Sequence, residues 1–162
     1  MKPVYLPVAL LLFGAAVAIA AQPVRFASGR ATMTFPDSFK VTTEGDELVA
    51  MFGENGDHKV DIRLLKGSEP GMPADLAVGF VDRYAKEHSL KVIRIDNRAY
   101  LSEPGPQFSR DGREFQITYW MIAADNCMFA MAITAPLPKS KELDAFLGES
   151  LDDLIQGITC SP

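Results

Sequence analysis

The strongest β-strand signal in this chain is the stretch REFQITYWMIAADNCMFAMAIT, residues 113–134. Two runs rich in β-forming residues, Arg113 to Ile122 and Cys127 to Thr134, flank a short polar centre at Asp125-Asn126. A turn of two or four residues assigns every side chain to the same face, whereas a turn of three does not. One predicted face carries Phe115, Ile117, Tyr119, Met121, Met128, Ala130 and Ala132, and the other carries Thr118, Trp120, Ile122, Cys127, Phe129, Met131 and Ile133. Because both faces are apolar, we expect this hairpin to lie mid-sheet with cover on both sides.

A second hairpin is predicted closer to the N-terminus. The pair Asn55-Gly56 separates strand candidates at residues 48–53 and 58–66, and Asn-Gly favours a two-residue type I′ turn. That turn pairs position 54 with position 57 and sets the register of both strands. The expected pairs are Met51 with Val60 and Val49 with Ile62 on an apolar face, and Phe52 with Lys59, Ala50 with Asp61 and Leu48 with Arg63 on a mixed face.

The remaining periodicity predicts two helices and further strands. Residues 31–35 alternate apolar and polar side chains, as a strand does, and residues 92–96 and 98–102 are also strand-like. Apolar side chains at helical spacing predict a helix over about 73–88 and a last helix from Pro138 to about Ile158. The segment Glu103 to Phe108 is expected to be a loop. The order βββ-α-ββββ-α predicts the α+β class, as an α/β/α sandwich with a central antiparallel sheet of six or seven strands and two main helices.

Length and charge limit the class of protein. The chain has 162 residues, 48% of them hydrophobic, and we assign residues 21–162 to a single domain. The net charge of −5 argues against nucleic-acid binding, which needs clustered lysine and arginine.

The N-terminus has the pattern of a secretory signal peptide. Lys2 precedes an apolar run from Val4 to Ala21, and Ala18-Ile19-Ala20 is a small-x-small cleavage site. We expect cleavage between Ala20 and Ala21, and a periplasmic or secreted protein that has no membrane segment afterwards. The alternative is an uncleaved anchor, although the apolar run is at the short limit for a bilayer-spanning helix.

The two cysteines lead to a geometric prediction. Cys127 begins a predicted strand and Cys160 follows the last helix. A strand from 127 to 135 and a helix from 139 to 158 both cover about 30 Å, so a helix that packs back along the strand returns Cys160 to Cys127. We therefore predict a Cys127–Cys160 disulfide in an oxidising compartment, with two buried free thiols as the alternative.

No catalytic motif occurs in the chain, and we predict no catalytic, cofactor-binding or metal-binding residue and no cofactor. A metal hypothesis would use His58, Asp57 and Glu54 at the second hairpin, but an exposed polar shoulder of that hairpin explains them better. Met121, Met128 and Met131 could bind copper(I), yet methionine also fills irregular cores, and we favour packing.

Acidic residues of the last helix form a second candidate site. Glu149, Asp152 and Asp153 lie off its apolar stripe, and the two aspartates stand in its C-terminal half, where a carboxylate opposes the helix dipole. A docking patch for a basic partner would explain them, and a solvated helix face is the alternative.

This layout resembles the PsbP-like α/β/α sandwich family. The resemblance rests on Thr34-Phe35-Pro36-Asp37-Ser38-Phe39-Lys40-Val41, the hairpin at 47–66, the central helix, the meander with turns at Asp111-Gly112 and Asp125-Asn126, and the closing amphipathic helix. It covers residues 26–158. Members of this family include bacterial envelope proteins and a photosystem II subunit, and most are non-enzymatic proteins that bind other proteins. The resemblance thus implies a binding or assembly role, and it maps no binding residue onto this chain.

Three functions remain open. The first is a non-enzymatic exported protein that binds a protein partner as an assembly factor, chaperone-like adaptor or inhibitor. The second is a carrier of a small ligand or metal, and the third is an enzyme with an unrecognised site. A large exposed apolar patch would favour the first, and an apolar pocket the second. The edge strands and residues 103–108 are where we expect such a patch.

Mass spectrometry tests both processing expectations. For protein isolated from the cells that produce it, we expect a denatured mass that lacks residues 1–20 and two hydrogens, one from each cysteine. A mass that retains residues 1–20 would contradict cleavage, and alkylation of both thiols without prior reduction would contradict the disulfide.

Overall fold

The computed structural model describes residues 21–65, 73–125 and 127–160. The strands are β1 (Ala21–Phe26), β2 (Ala31–Pro36), β3 (Lys40–Glu44), β4 (Glu47–Phe52), β5 (His58–Leu64), β6 (Ile93–Ile95), β7 (Arg98–Arg110), β8 (Arg113–Ala124), β9 (Cys127–Pro136) and β10 (Thr159–Cys160). The helices are α1 (Ala74–His88), α2 (Lys141–Ala145) and α3 (Leu151–Gln156), with a π-helical turn (Phe146–Ser150) between the last two and a 3₁₀ turn (Ala27–Gly29) after β1. The expected cleavage after Ala20 falls outside the described residues, apart from Ala21, which begins β1.

Seven strands form an antiparallel sheet in the order β3-β4-β5-β9-β8-β7-β6, so the predicted central hairpin, β8–β9, does lie mid-sheet. Ala124 pairs with Cys127 across a two-residue turn. The face assignment made for this hairpin is therefore confirmed, with Tyr119 opposite Ala132 on one face and Trp120 opposite Met131 on the other.

The register predicted for the β4–β5 hairpin is wrong by one residue. Phe52 pairs with His58, Ala50 with Val60 and Leu48 with Ile62, and all six side chains are buried. The connection is a five-residue turn, in which the Gly56 N–H donates to the Gly53 carbonyl and both glycines have positive φ. A type I′ turn would need positive φ at Asn55, which this turn does not use.

The segment from Glu103 to Phe108 is not a loop but part of the long strand β7. The β7–β8 register shifts between Pro104 and Gln107, which marks a bulge. Gly105 lies in this bulge, and a Cβ atom there would come within 2.6 Å of the Tyr119 ring. The bulge therefore depends on glycine, because the aromatic ring packs directly over the backbone.

The first helix follows its predicted bounds closely. Asp75 lies in its first turn and Lys86 and His88 in its last, where their charges favour the helix dipole. Ser89 adopts the left-handed conformation, and the Leu90 N–H donates to the Ala85 carbonyl at 2.8 Å, which ends the helix.

The last helix starts later than predicted. It begins at Lys141 rather than Pro138, because the Ser140 hydroxyl caps it by accepting the Leu143 N–H at 3.1 Å. It ends at Gln156 and contains a π-helical turn, so two α-helical segments replace the single expected one. The predicted apolar stripe is buried, with Leu143, Phe146, Leu151, Leu154, Ile155 and Ile158 all in the main core.

The two sides of the large sheet carry different layers. The C-terminal helices pack into the main core together with β2 and the side chains of Phe129 and Met131. That layer also contains a second sheet, in the order β1-β2-β10, so it is not purely helical as the sandwich prediction had it. On the opposite face, α1 forms a smaller cluster with Ala123 and Met128.

The predicted Cys127–Cys160 disulfide is present, with the two Cα atoms 6.4 Å apart. Cys127 begins β9 of the large sheet, while Cys160 lies in β10 and pairs with Ala31 of the small sheet. The bond therefore connects the two sheets and anchors the end of the last helix.

Removal of this cross-link tests its contribution to stability. The variant C127A/C160A should lose about 3–4 kcal/mol in the free energy of unfolding, as expected for opening a loop of this length in the unfolded chain. Urea unfolding followed by circular dichroism measures this loss, with reduced wild type as the matched control. Equal unfolding midpoints for oxidised and reduced wild type would contradict it.

A candidate binding groove on the open sheet face

The face of the large sheet that carries α1 is built from rows of side chains that run across the strands. One row, which we call the central row, is Val49, Asp61, Ala132, Tyr119 and Glu103. A second row, the inner row, is Glu47, Arg63, Ala130, Met121 and Leu101. Small alanines thus occupy the middle of both rows, with larger side chains on either side.

The helix α1 covers only one end of this face. Ala77, Val81 and Ala85 pack on Ala99, Leu101, Ala123 and Met128 near the start of β7 and the end of β8. A 15-residue helix such as α1 is about 22 Å long, whereas a strand of the length of β8 extends about 40 Å. This helix therefore cannot cover the whole strand, and Tyr119 of the central row is 42% exposed, so the expected cover on both sides of the central hairpin is only partly present.

The two rows and α1 enclose a groove with a volume of about 370 Å³. Its lining is mainly apolar and includes Val49, Leu101, Tyr119, Met121, Ala130 and Ala132, with Tyr84 from α1 as one wall. The Tyr84 hydroxyl donates a hydrogen bond to Glu103 Oε1 at 3.2 Å and so connects this wall to β7. Burial and the neighbouring Glu103 carboxylate raise the pKa of the Tyr84 phenol above its ordinary value.

Apolar side chains continue beyond the groove. Leu76 and Phe80 are 55% and 45% exposed, and Tyr119 is 42% exposed. Helical spacing places Leu76 and Phe80 two turns and one turn before Tyr84, on the same flank of α1. The groove is therefore one part of a longer apolar surface.

The other polar cluster lies at the β4–β5 turn, on the main-core face of the large sheet rather than on the groove face. His58 was expected on an exposed shoulder, but only 2% of its surface is exposed, and its ring stacks on Phe52. Its Nε2 lies 2.7 Å from the Ser140 hydroxyl. Its Nδ1 lies 2.8 Å from Asp57 Oδ1 but forms no hydrogen bond with it.

An acid, a histidine and a serine, the residue types of a nucleophilic triad, come together here as Asp57, His58 and Ser140. Ser140, however, already caps the last helix, and the ring of His58 stacks on Phe52. The cluster therefore joins the hairpin to the helix start. Among the described residues, no group of three or more His, Cys, Asp or Glu side chains is placed to hold a metal ion, so the hypothesis built on His58, Asp57 and Glu54 has no support.

The remaining candidates from the sequence are dispersed. Met131 is buried in the main core and Met128 in the α1 cluster, while Met121 borders the groove, so the three do not form one site. In the acidic patch, Asp152 accepts a 2.6 Å hydrogen bond from the Tyr100 hydroxyl, which burial and this carboxylate give a raised pKa. Asp153 is exposed, and Glu149 remains a prediction.

Sequence reasoning did not find the groove, although it found part of its floor. The face shared by Tyr119, Met121, Ala130 and Ala132 was predicted correctly. Long-range packing decides how far α1 extends across that face and which side chains of β4 and β5 point towards the groove. No local sequence pattern contains this information.

The fold has relatives among solved structures. A protein from Bacteroides thetaiotaomicron aligns with a TM-score of 0.61 and 14% sequence identity, over 86% of this chain and 48% of that one. This chain therefore spans about half the length of that protein, and the likeness concerns the fold alone. No protein-family model and no curated protein matches the sequence.

Cyanobacterial PsbP from Synechocystis sp. PCC 6803 is among the similar structures, with 9% identity, a TM-score of 0.35, and coverage of 91% of this chain and 96% of that one. LpqN, involved in cell envelope biogenesis of Mycobacterium tuberculosis, aligns with 11% identity and a TM-score of 0.39, over 88% of this chain and 91% of that one. At such TM-scores nothing about the function of this chain follows. Within residues 21–65, 73–125 and 127–160, none of the helices has the length and apolar composition needed to cross a membrane.

The Asp57 contacts predict a pH dependence. A 2.7 Å hydrogen bond from Arg113, opposed by burial and helped by the charge of His58, lowers the pKa of the Asp57 carboxyl below its ordinary 3.8. The charged Asp57 carboxylate therefore stabilises the fold at pH values above its ordinary pKa. This stabilisation is lost as the pH falls through the lower pKa that the carboxyl has in the folded state. The variant D57N should be less stable than wild type at about pH 5, and the difference should shrink towards about pH 2.

Urea unfolding at both pH values measures this difference. The matched control is D37N, which changes an exposed aspartate that forms no ion pair within the described part of the chain. A constant gap between wild type and D57N over this range would show that Asp57 is not linked to stability through its ionisation.

Proposed function

We propose that this protein is a non-catalytic, exported binding protein whose open sheet face receives an apolar segment of a protein partner, as an assembly factor, chaperone-like adaptor or inhibitor would. The observation that carries this proposal is the exposed apolar surface formed by Leu76, Phe80 and Tyr119 beside the groove. Isolated exposed apolar residues are common, but a group of large ones next to a concave apolar lining is typical of a docking surface.

The extent of that surface favours a protein over a small molecule. A ligand confined to a volume of about 370 Å³ would contact the groove lining but leave Leu76 and Phe80 in water. A polypeptide segment can fill the groove and extend along the flank of α1. Burying these side chains supplies affinity in proportion to the apolar area removed from water.

Export is supported by two independent features. The disulfide between Cys127 and Cys160 is of a kind that persists mainly in oxidising compartments. The first 20 residues have the pattern of a signal peptide, so that residues 21–162 would act as a single periplasmic or secreted domain with an α/β/α arrangement.

A non-catalytic role agrees with the contacts of the serine, histidine and cysteine side chains that could otherwise take part in catalysis. Ser140 caps a helix, His58 is buried against Phe52, and both cysteines are cross-linked. These contacts give each group a structural role in the fold.

A carrier of a small apolar ligand is the second candidate. The volume of the groove lies within the range of about 300–1,000 Å³ found for small-molecule sites, and its lining is mainly apolar. The two candidates differ in whether Phe80 becomes covered.

Site-specific photo-cross-linking tests the proposal. With p-benzoylphenylalanine in place of Phe80 or Tyr119, irradiation of the producing cells should give a discrete protein adduct at both positions. The adduct should disappear when Ala132→Arg is added, because the new side chain occupies the middle of the central row. The same photoreactive residue in place of Asp37, which is exposed in the turn after β2, is the matched control and should give no such adduct.

Two outcomes would overturn a protein partner at this face. Adducts that persist with Ala132→Arg would show that the groove is not used. Absence of adducts, together with a small native-mass increment that is lost on denaturation, would establish the carrier instead.

A further inference from the structure

We infer that the segment bound in the groove carries a lysine or arginine side chain that pairs with Glu103, while its apolar neighbours cover Tyr119 and Phe80. This inference rests on the proposed function and specifies the chemistry of the partner. Three features of the groove support it: its charges, the position of Glu103 and the cost of burying that carboxylate.

The groove is negatively charged in spite of its apolar floor. Its charged lining consists of three carboxylates and one guanidinium, namely Glu47, Asp61, Glu103 and Arg63. Arg63 lies 3.5 Å from Glu47, and Lys59 lies 2.6 Å from Asp61, so two of the carboxylates are already neutralised. Glu103 forms no ion pair within the described residues, and it is the charge left for a partner to match.

Glu103 is held in a defined position at the edge of the apolar surface. It stands directly opposite Tyr119 in the β7–β8 register, and the Tyr84 hydroxyl donates to its Oε1. A phenol donor leaves the carboxylate charged and leaves its second oxygen able to accept from a cation. Tyr84 and Tyr119 thus flank a carboxylate whose rotamer the hydrogen bond restrains.

A partner that covers this surface must also cover Glu103. Burying a carboxylate under an apolar segment without a cation is unfavourable, and an acidic segment would add like-charge repulsion. A basic side chain removes this cost by forming a charge-assisted hydrogen bond. Phe80 lies one helical turn, about 5.4 Å, from Tyr84 along α1, so apolar residues close to the basic one in the segment can reach it.

Selection from a displayed random peptide library tests this inference. Wild type should enrich peptides that combine apolar residues with a lysine or arginine. The variant E103Q should still enrich apolar residues but lose the enrichment of basic ones. The matched control E54Q removes an identical charge from the exposed β4–β5 turn, outside the groove lining, and should select as wild type does.

A synthetic peptide from the wild-type selection then gives the size of the effect. Its Kd should rise at least about tenfold for E103Q, the scale expected when a partly desolvated charge pair is lost. Binding to wild type should weaken with added salt, and binding to E103Q should depend on salt much less. Circular dichroism and intact mass establish that each variant is folded and cross-linked before the comparison.

The possible failures are distinct. Selection of apolar peptides without basic residues by wild type, or of equally basic peptides by E103Q, would overturn the assignment of Glu103 and leave the proposed function standing. Failure of wild type to enrich any peptides beyond those selected by Ala132→Arg would overturn the proposed function itself, and this inference with it.

Discussion

The two-residue turn that holds Ala124 opposite Cys127 determines the side-chain faces of the central hairpin and the position of the disulfide. Because side chains alternate along a strand, a slip of one residue at this turn would exchange the two faces of the central hairpin. The observed register directs Ile122, Phe129 and Met131 into the main core, and Tyr119, Ala130 and Ala132 towards the groove. It also places Cys127 where the returning C-terminal segment can form the disulfide, so the cross-link and the candidate site both depend on this pairing.

The groove results from a difference in size between elements. The central strands are long, and the apolar contacts of α1 on the groove face reach Leu101 and Met121 of the inner row but leave Tyr119 of the central row 42% exposed. Large apolar side chains remain in water at its flank, an arrangement that is unfavourable for an isolated molecule. A partner that covers Phe80 and Tyr119 would relieve that cost, which is why the fold and the proposed function agree.

The layer on the other face is secured by several separate contacts. Ser140 caps the last helix and touches buried His58, Tyr100 binds Asp152, and the disulfide fastens the end of the chain to β9. Arg98 adds a 2.8 Å hydrogen bond to the Ile158 carbonyl. With this layer held at its start, middle and end, the sheet can serve as a rigid support for a site on its opposite face, and rigid support limits the ordering cost of binding.

The sequence by itself determined the features that local periodicity and chain length control. Alternation predicted β2 and the faces of β8 and β9, helical spacing predicted α1, and matched element lengths predicted the disulfide. Only the tertiary structure decided the register of β4, since Phe52 and His58 gain burial that an Asn-Gly turn would deny them. The tertiary structure also decided that residues 103–108 continue β7, because pairing with β8 outweighs the preference of their Pro and Gly residues for a loop. The same pairing places Glu103 beside Tyr119. These outcomes depend on contacts between residues far apart in the chain, and the energy of such contacts is not present in any local pattern.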